Sequence, residues 1–201
     1  MIDAYTAITR SFNFSMSRFG YPRQSAAVVR KAVGWGDAHL LRSFVKEEDA
    51  KAVLEAYRRH HKGSLARYSK VFPGVVRLLS GLKRRGYKLA VASNRPTRFS
   101  WILIRHLGLK PYFNYVLCAD KLRSGKPDPQ ILKMIMKRLS VPARDTVYVG
   151  DMIIDAIAGK RAGVKTVIVT TGSSSISQIR RERPWKIIKK IKDLPELLQS
   201  A

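Results

Sequence analysis

Three polar segments, each following an apolar run, carry side chains that could act together on a phosphoryl group. SNRP places Ser93 and Asn94 after YKLAVA, SGKPDP places Lys126 in a tight loop, and VGDMIID places Asp151 and Asp155 after TVYV. A hydroxyl and backbone amides at a helix start can hold a phosphoryl oxygen, and a lysine adds positive charge. Carboxylate oxygens suit Mg²⁺, which is often shared with substrate phosphate. Together these segments predict a site for phosphate and magnesium.

Each segment also has a plainer interpretation, as a helix N-cap, a surface lysine or first-turn acids. Against it, Gly125 and Pro127 restrict the backbone on both sides of Lys126. Asp151 and Asp155 stand four residues apart on one helical face, where like charges repel and a bound cation would relieve the repulsion. The coincidence of three such segments favours one site.

The elements that must position these residues begin near Val71, where helical and strand patterns start to alternate. Apolar runs at 87–93, 115–120, 146–151 and 165–171 read as strands, and the segments between them have helical periodicity. This alternation predicts an α/β fold with a Rossmann-like parallel sheet covered on both faces. Ligands bind beyond the carboxyl ends of such strands, where all three polar segments fall.

The preceding part of the chain is predicted to be helical. Residues 3–68 show helical periodicity broken by glycine and proline, which indicates three or four helices, and GWGDAHLL reads as a turn leading into one of them. We therefore predict two domains, a helical one at 1–70 and an α/β core at 71–201.

The composition is strongly basic, with 39 Lys and Arg against 14 Asp and Glu, a net charge of +25 and a pI near 10.7. Such a charge attracts phosphate-bearing partners and predicts at most nonspecific nucleic-acid affinity, since no nucleic-acid-binding motif is present; a solvated basic surface without a partner is the alternative. The single cysteine, Cys118, lies in an apolar run and is predicted to be a buried thiol. Without a signal-peptide pattern or a long apolar run, we expect a cytoplasmic protein with no membrane partner.

In order and spacing, the motifs Ser93-Asn94, GKPDP and GDMIID resemble those of the haloacid dehalogenase superfamily, in the subfamily with a helical cap. VFPGVVRLLSGLKRRGYKLAVASN, YFNYVLCAD and VGDMIIDAIAGKRAGVKTV are most similar to phosphoglycolate phosphatases and their pyrophosphatase relatives. The resemblance covers nearly the whole chain. It implies that residues 1–70 form the cap and that the protein is a Mg²⁺-dependent hydrolase of a small phosphorylated substrate.

The resemblance also implies roles for the site residues. Ser93 and Asn94 would bind phosphoryl oxygens, Lys126 would neutralise charge on the nucleophile and the phosphate, and Asp151 would ligate Mg²⁺. Asp155 would either support the metal or orient Lys126. The nucleophile would be an aspartate of a DxDGT motif, with a second aspartate as general acid and base.

The DxDGT motif is absent from this sequence, and MIDAYTAI aligns with the stretch that follows it in relatives. Asp3 matches an acid beyond the nucleophile motif and is not assigned as the nucleophile. We expect the central first strand of the sheet, between the strands ending in Ser93 and Asp151, to be missing, and the chain to be a fragment or wrongly started and inactive as it stands. The alternatives are a non-catalytic anion- or nucleic-acid-binding relative, or a pyrophosphatase, sugar-phosphate mutase or nucleotide hydrolase of the same superfamily.

Overall fold

Helices and strands follow the hydrophobic pattern of the sequence in the computed structural model, which describes residues 1–199. The helices of these residues, in chain order, are α1 (Tyr5–Arg18), α2 (Ala26–Ala32), α3 (Asp37–Arg42), α4 (Glu47–Tyr68), α5 (Val75–Arg84), α6 (Thr97–His106), α7 (Gln130–Leu139), α8 (Ile153–Ala162), α9 (Ile176–Arg181) and α10 (Leu194–Gln199). The strands are β1 (Ile2–Asp3), β2 (Lys70–Val71), β3 (Ala90–Ser93), β4 (Tyr115–Cys118), β5 (Val147–Gly150), β6 (Lys165–Val169) and β7 (Lys186–Ile188).

The first of two structural units comprises Met1–Phe72 and Arg95–Leu109. Helix α4 packs against α1, α3 and α6, and the core contains Phe12 of α1, Tyr57 of α4 and Phe99 of α6, all essentially inaccessible to solvent. The two-residue strands β1 and β2 pair antiparallel beside these helices. Burial of these large aromatic side chains, together with the aliphatic residues of the same cluster, stabilises this unit.

Helix α6 belongs to the first structural unit, although the predicted domain boundaries assign it to the second domain. They place it inside 71–201, whereas its buried residues Phe99 and Leu103 pack into the same hydrophobic cluster as α1 and α4. The domain boundary near residue 70 stays a prediction.

The second unit comprises Pro73–Asn94 and the chain from Lys110 onward. Strands β3 and β4 pair in parallel, and β5, β6 and β7 form a parallel sheet in that order. Helices α7 and α8 cover these strands through a cluster that includes Leu117, Ile131 and Ala158. The predicted α/β class with parallel strands is confirmed, and Cys118 is buried as predicted.

Strands β3 and β5 each pair along one side among the described residues. β3 pairs with β4 and β5 pairs with β6, and within residues 1–199 no strand is hydrogen-bonded between β3 and β5. The expectation of a missing central strand at that position stays a prediction.

Strand β7 lies within the basic run RRERPWKIIKKIK, where the sequence indicated only charge. Ile187 and Ile188 pair with β6 residues, and Ile187 packs on the buried cluster of Ala156, Ile168 and Ile179. Two isoleucines between lysines are thus enough to add an edge strand. No helix within residues 1–199 is both long and apolar enough to cross a membrane.

Candidate active site

Lys126 is the centre of a buried polar cluster at the carboxyl ends of β3 and β5. Its Nζ donates hydrogen bonds to Asp155 Oδ1 at 2.8 Å, to Tyr148 Oη at 2.9 Å and to the carbonyl oxygen of Ala92 at 3.0 Å. The Lys126 side chain is only 10% exposed. All three ammonium protons therefore have acceptors, and the charge is held in one position.

Asp155 receives hydrogen bonds on both carboxylate oxygens. Oδ1 accepts from Lys126 and, at 2.6 Å, from the hydroxyl of Tyr148; Oδ2 accepts from the backbone N–H groups of Asp151 and Met152, each at 3.0 Å. Since Asp155 is the third residue of α8, its carboxylate satisfies the N–H of the N-cap residue Met152 and that of Asp151 just before it. Four donors on one buried carboxylate favour the second of its two predicted roles, the orientation of Lys126.

The ionisation states follow from burial and charge pairing. Burial alone would lower the pKa of Lys126, but the carboxylate of Asp155 outweighs it, and the pKa of Lys126 is raised. Burial alone would raise the pKa of Asp155, but the Lys126 ammonium and the surrounding donors hold this pKa below its usual value. Burial, reinforced by the Asp155 carboxylate, raises the pKa of Tyr148. Near neutral pH the cluster holds an ammonium, a carboxylate and a neutral phenol.

Asn94 fastens the loop that carries Lys126. Its side-chain Nδ2 donates to the Lys126 carbonyl oxygen at 2.9 Å, and its Oδ1 accepts from the Lys126 N–H at 2.8 Å. A Cβ on Gly125 would lie 2.8 Å from Asn94 Oδ1, so a glycine is required for this approach. The predicted confinement of Lys126 is thus present, and the Asn94 side chain is one of its causes. Its predicted role in substrate binding stays a prediction.

Asp151 directly follows β5, and the loop after β6 packs against its backbone. A Cβ on Gly172 would lie 1.9 Å from the Asp151 carbonyl oxygen, and Ser174 Oγ accepts from the N–H of Ile153 at 2.9 Å. A Cβ on Gly150 would lie 2.2 Å from Asp155 Cβ. Glycines at 150 and 172 therefore allow two loops to meet around the half-buried Asp151.

Ser93 lies at the same strand ends as the rest of the site. It is the last residue of β3, half-buried, and paired in register with Cys118 of β4. Asn94, next in sequence, is bonded to Lys126, which in turn contacts Asp155. The structure therefore brings the predicted site residues to one region of the second unit. Asp3, by contrast, accepts a hydrogen bond from the Tyr5 N–H at the start of α1.

Tyr148 is the site residue that sequence analysis did not single out. It lies in the middle of the strand run TVYV, where an aromatic residue is usually explained by packing alone. The signal that could have identified it is its hydroxyl, which must find a hydrogen-bond partner when the ring is buried in a sheet. That partner is the Asp155–Lys126 pair.

The donor set fits a magnesium ion held by one protein carboxylate. Asp151 carries hard carboxylate oxygens directly after β5, and both oxygens of Asp155 accept hydrogen bonds from protein donors. Within residues 1–199 no group of three or more His, Cys, Asp or Glu side chains is arranged to hold a metal. An ion at Asp151 would thus depend on water and substrate phosphate for most of its ligands, as Mg²⁺ commonly does.

Comparison with known proteins gives one consistent family. A sequence model described as haloacid dehalogenase-like hydrolase matches residues 1–169. Phosphoglycolate phosphatase 1 of Pseudomonas aeruginosa is 31% identical over 203 residues, covering 96% of this chain and 74% of its own length. A phosphoglycolate phosphatase of Aquifex aeolicus is 28% identical over 193 residues, covering 94% and 91%.

Solved structures share the fold. A crystal structure of a predicted phosphoglycolate phosphatase from Haemophilus somnus 129pt matches with a TM-score of 0.92 at 22% identity, over 99% of this chain and 93% of that one. A predicted phosphatase from Clostridium acetobutylicum matches with a TM-score of 0.88 at 24% identity, over 100% and 94%. At these identities the likeness concerns the fold.

Proposed function

The chain belongs to the haloacid dehalogenase-like hydrolase family, and we propose that it carries the phosphate and metal site of a Mg²⁺-dependent phosphomonoester hydrolase of the phosphoglycolate phosphatase type. The observation that carries this proposal is the Lys126 ammonium, fixed by Asp155 and Tyr148 at the strand ends beside Ser93 and Asp151. The names of the similar proteins support the substrate class, a small phosphate monoester.

In this proposal Lys126 supplies the fixed positive charge that a phosphoryl group needs as negative charge develops on it. When phosphate binds, Lys126 Nζ gives up its hydrogen bond to the Ala92 carbonyl oxygen and donates to a phosphoryl oxygen instead. The Ala92 bond is the one that is lost because this neutral oxygen holds the ammonium less strongly than the charged Asp155 does. The Ser93 hydroxyl binds a second phosphoryl oxygen. Asp155 and Asn94 act as positioning residues because they hold the side chain and the backbone of Lys126, respectively. Preorganised charge of this kind lowers the barrier without reorganisation during the reaction.

Asp151 is the residue that would hold the magnesium ion. When bound, such an ion polarises a phosphoryl oxygen and orients the substrate. The backbone of Asp151 is held by the close approach of Gly172 to its carbonyl oxygen and by the hydrogen bond from its N–H to Asp155 Oδ2, so the residue has a fixed position at the end of β5.

We further propose that hydrolysis requires a nucleophilic carboxylate on a strand between β3 and β5. The support is the arrangement of the sheet, in which β3 and β5 each pair on one side among residues 1–199, together with the absence of a DxDGT motif from the sequence. The family resemblance implies that such an aspartate attacks the phosphorus while the P–O bond to the substrate alcohol breaks and the second motif aspartate protonates the leaving oxygen. Water, deprotonated by that second aspartate, then hydrolyses the aspartyl-phosphate and releases phosphate. Residues 1–201 alone would bind phosphate but not turn over.

The test grafts a segment that carries a DxDGT motif, the nucleophile motif that the family resemblance implies, onto the start of the chain. Phosphate release from phosphoglycolate is measured with Mg²⁺ and with EDTA, for the chain alone, the graft, and a graft whose first motif aspartate is changed to Asn. We expect release only from the unmodified graft with Mg²⁺, and its loss in Lys126→Ala or Asp151→Ala. Release by the chain alone, or by the Asn graft, would refute the proposed nucleophile.

Pyrophosphate, a sugar phosphate and a nucleotide serve as further substrates in the same assay, because the superfamily includes enzymes for each. A folded graft that is inactive on every substrate, and whose parent chain does not bind inorganic phosphate by calorimetry, would favour the non-catalytic alternative in which the basic surface binds nucleic acid.

A further inference from the structure

The second unit presents the amino-terminal ends of its parallel strands opposite the candidate active site. In that unit α5, α7, α8 and α9 each run into the next strand, so the end of each helix and the beginning of the following strand meet at one edge. Each connection is taken together with the last residues of the helix before it, and the four resulting segments are 83–88, 137–145, 160–165 and 180–186. We call this surface the amino edge.

Positive charge is concentrated on the amino edge. Its four segments contain fourteen Lys and Arg against two acids, Asp145 and Glu182. The segments that follow the strands of the same unit, 93–94, 119–129, 151–153 and 170–175, contain three basic residues against three aspartates. The amino edge therefore carries a net +12 (fourteen minus two) of the chain's +25, whereas the segments at the edge of the candidate active site are balanced in charge.

Contacts between neighbouring segments make the amino edge continuous. Lys88 Nζ donates to the carbonyl oxygen of Leu139 at 2.7 Å, which joins the first segment to the second. The second and third segments share a hydrophobic cluster, which contains Val164 and against which Leu139 packs. Lys160 pairs with Glu182 at 3.5 Å, which joins the third segment to the fourth. The basic side chains are exposed, except Lys165, which is half-buried.

The residue types on the amino edge suit a phosphodiester backbone. Eight of its basic residues are arginines, whose planar guanidinium groups bind phosphate with paired hydrogen bonds. Tyr87 is 40% exposed beside the guanidinium of Arg85, 5.6 Å from its ring centroid, and offers a face for base stacking. Among the exposed large hydrophobic side chains of residues 1–199, Tyr87 alone lies in these segments, so the edge lacks the apolar side chains that insert into a lipid surface.

We propose that the amino edge is a sequence-independent binding surface for the phosphodiester backbone of single-stranded nucleic acid. It is separate from the proposed phosphatase site and does not depend on it. Binding is expected to weaken steeply with salt, because each neutralised phosphate releases a counterion.

The test measures fluorescence anisotropy of labelled single-stranded RNA and DNA of one sequence, about 20 nucleotides long so that it spans several segments, with chain 1–201 over a range of salt. A four-site variant of the amino edge is compared with a matched four-site variant of exposed basic residues in the first unit. The edge variant is Arg85→Gln, Arg138→Gln, Arg181→Gln and Lys186→Gln. The control is Arg18→Gln, Arg23→Gln, Arg59→Gln and Lys62→Gln.

The edge variant is expected to bind at least tenfold more weakly, and its log–log salt slope should fall by about 3, if all four side chains contact phosphate. The control should change affinity less than threefold. A smaller variant with only Arg85→Gln and Lys186→Gln should lower the slope by about half as much, which keeps the test informative if the larger variant unfolds. Circular dichroism checks the fold of each.

Three results would overturn the proposal. Equal losses in both four-site variants would show that net charge alone drives binding. Displacement of the oligonucleotide by phosphoglycolate or inorganic phosphate, at concentrations too low to act through ionic strength, would place the nucleic acid at the candidate active site instead. Binding to phosphatidylserine vesicles without binding to either oligonucleotide would identify a membrane surface.

Discussion

Replacing Asp155 by Asn removes the negative charge from the buried cluster while keeping its size. The Lys126 ammonium, 2.8 Å away and 10% exposed, would then have only neutral acceptors, namely the Ala92 carbonyl, the Tyr148 hydroxyl and a shared amide oxygen of the new Asn. One amide oxygen cannot accept from all four donors that now share the carboxylate. Removing one partner of a buried ion pair typically costs about 3 to 5 kcal/mol, and we expect Asp155→Asn to fall in that range.

The reverse change, Lys126→Met, is expected to cost less. Asp155 would keep three donors, the Tyr148 hydroxyl and the backbone N–H groups of Asp151 and Met152, so its charge stays solvated by the protein. Methionine also preserves the length of the buried stem. We expect a loss of about 2 kcal/mol, in line with the penalty for removing one charged hydrogen-bond partner.

A double-mutant cycle measures the coupling between these two residues. The free energy of unfolding is determined in guanidinium chloride at neutral pH for the wild type, both single variants and the double variant, with circular dichroism and tryptophan fluorescence as probes. Because the double variant contains no unpaired buried charge, its loss should be smaller than the sum of the single losses by about 2 kcal/mol. Losses that add to within about 0.5 kcal/mol would refute the ion pair as the organising contact of the site.

Three further outcomes are expected. Tyr148→Phe removes the 2.6 Å hydrogen bond to Asp155 and should lower the free energy of unfolding by about 1.5 to 3 kcal/mol; a change within about 0.5 kcal/mol would contradict that bond. Gly150→Ala puts a Cβ 2.2 Å from Asp155 Cβ and should destabilise the fold, whereas Gly81→Ala, in a helix with open space, should be neutral or stabilising by up to about 1 kcal/mol. Burial lowers the pKa of His61 from 6.5 to about 3, so its neutral form favours the folded state: its contribution is full above pH 6.5 and is lost as the pH falls toward 3. Stability should drop by about 2 kcal/mol from this residue between pH 7 and pH 5, and His61→Phe should remove that part of the pH dependence in urea unfolding.

The sequence predicted the strands well because each is a short apolar run with a clear end. β3, β5 and β6 fall inside the predicted runs at 87–93, 146–151 and 165–171, and the structure trims each by only a few residues. The same argument placed Ser93, Lys126 and Asp151 together, since parallel strands bring their carboxyl ends to one edge. Local pattern and a general rule of sheet geometry were sufficient for this part.

Contacts between distant segments could not be predicted in the same way. Asn94 reads as a helix-start residue, but its side chain binds the backbone of Lys126, 32 residues later. Tyr148 reads as a strand aromatic, but its hydroxyl completes the Lys126–Asp155 pair. Local sequence spacing does not predict either contact, because the tertiary fold determines which loop lies beside which strand.

For Asp155, the spacing of the two acids correctly predicted a neighbouring positive charge but not the group that carries it. Two carboxylates four residues apart, at 151 and 155, predicted a nearby cation to relieve their repulsion. The structure contains such a cation in the ammonium of Lys126, which comes from a loop 29 residues earlier and donates to Asp155 Oδ1 at 2.8 Å. The paired acids therefore do not by themselves require a metal. The proposed magnesium site rests instead on Asp151 and on the likeness to phosphoglycolate phosphatases, which is why the comparison of Mg²⁺ with EDTA is decisive for it.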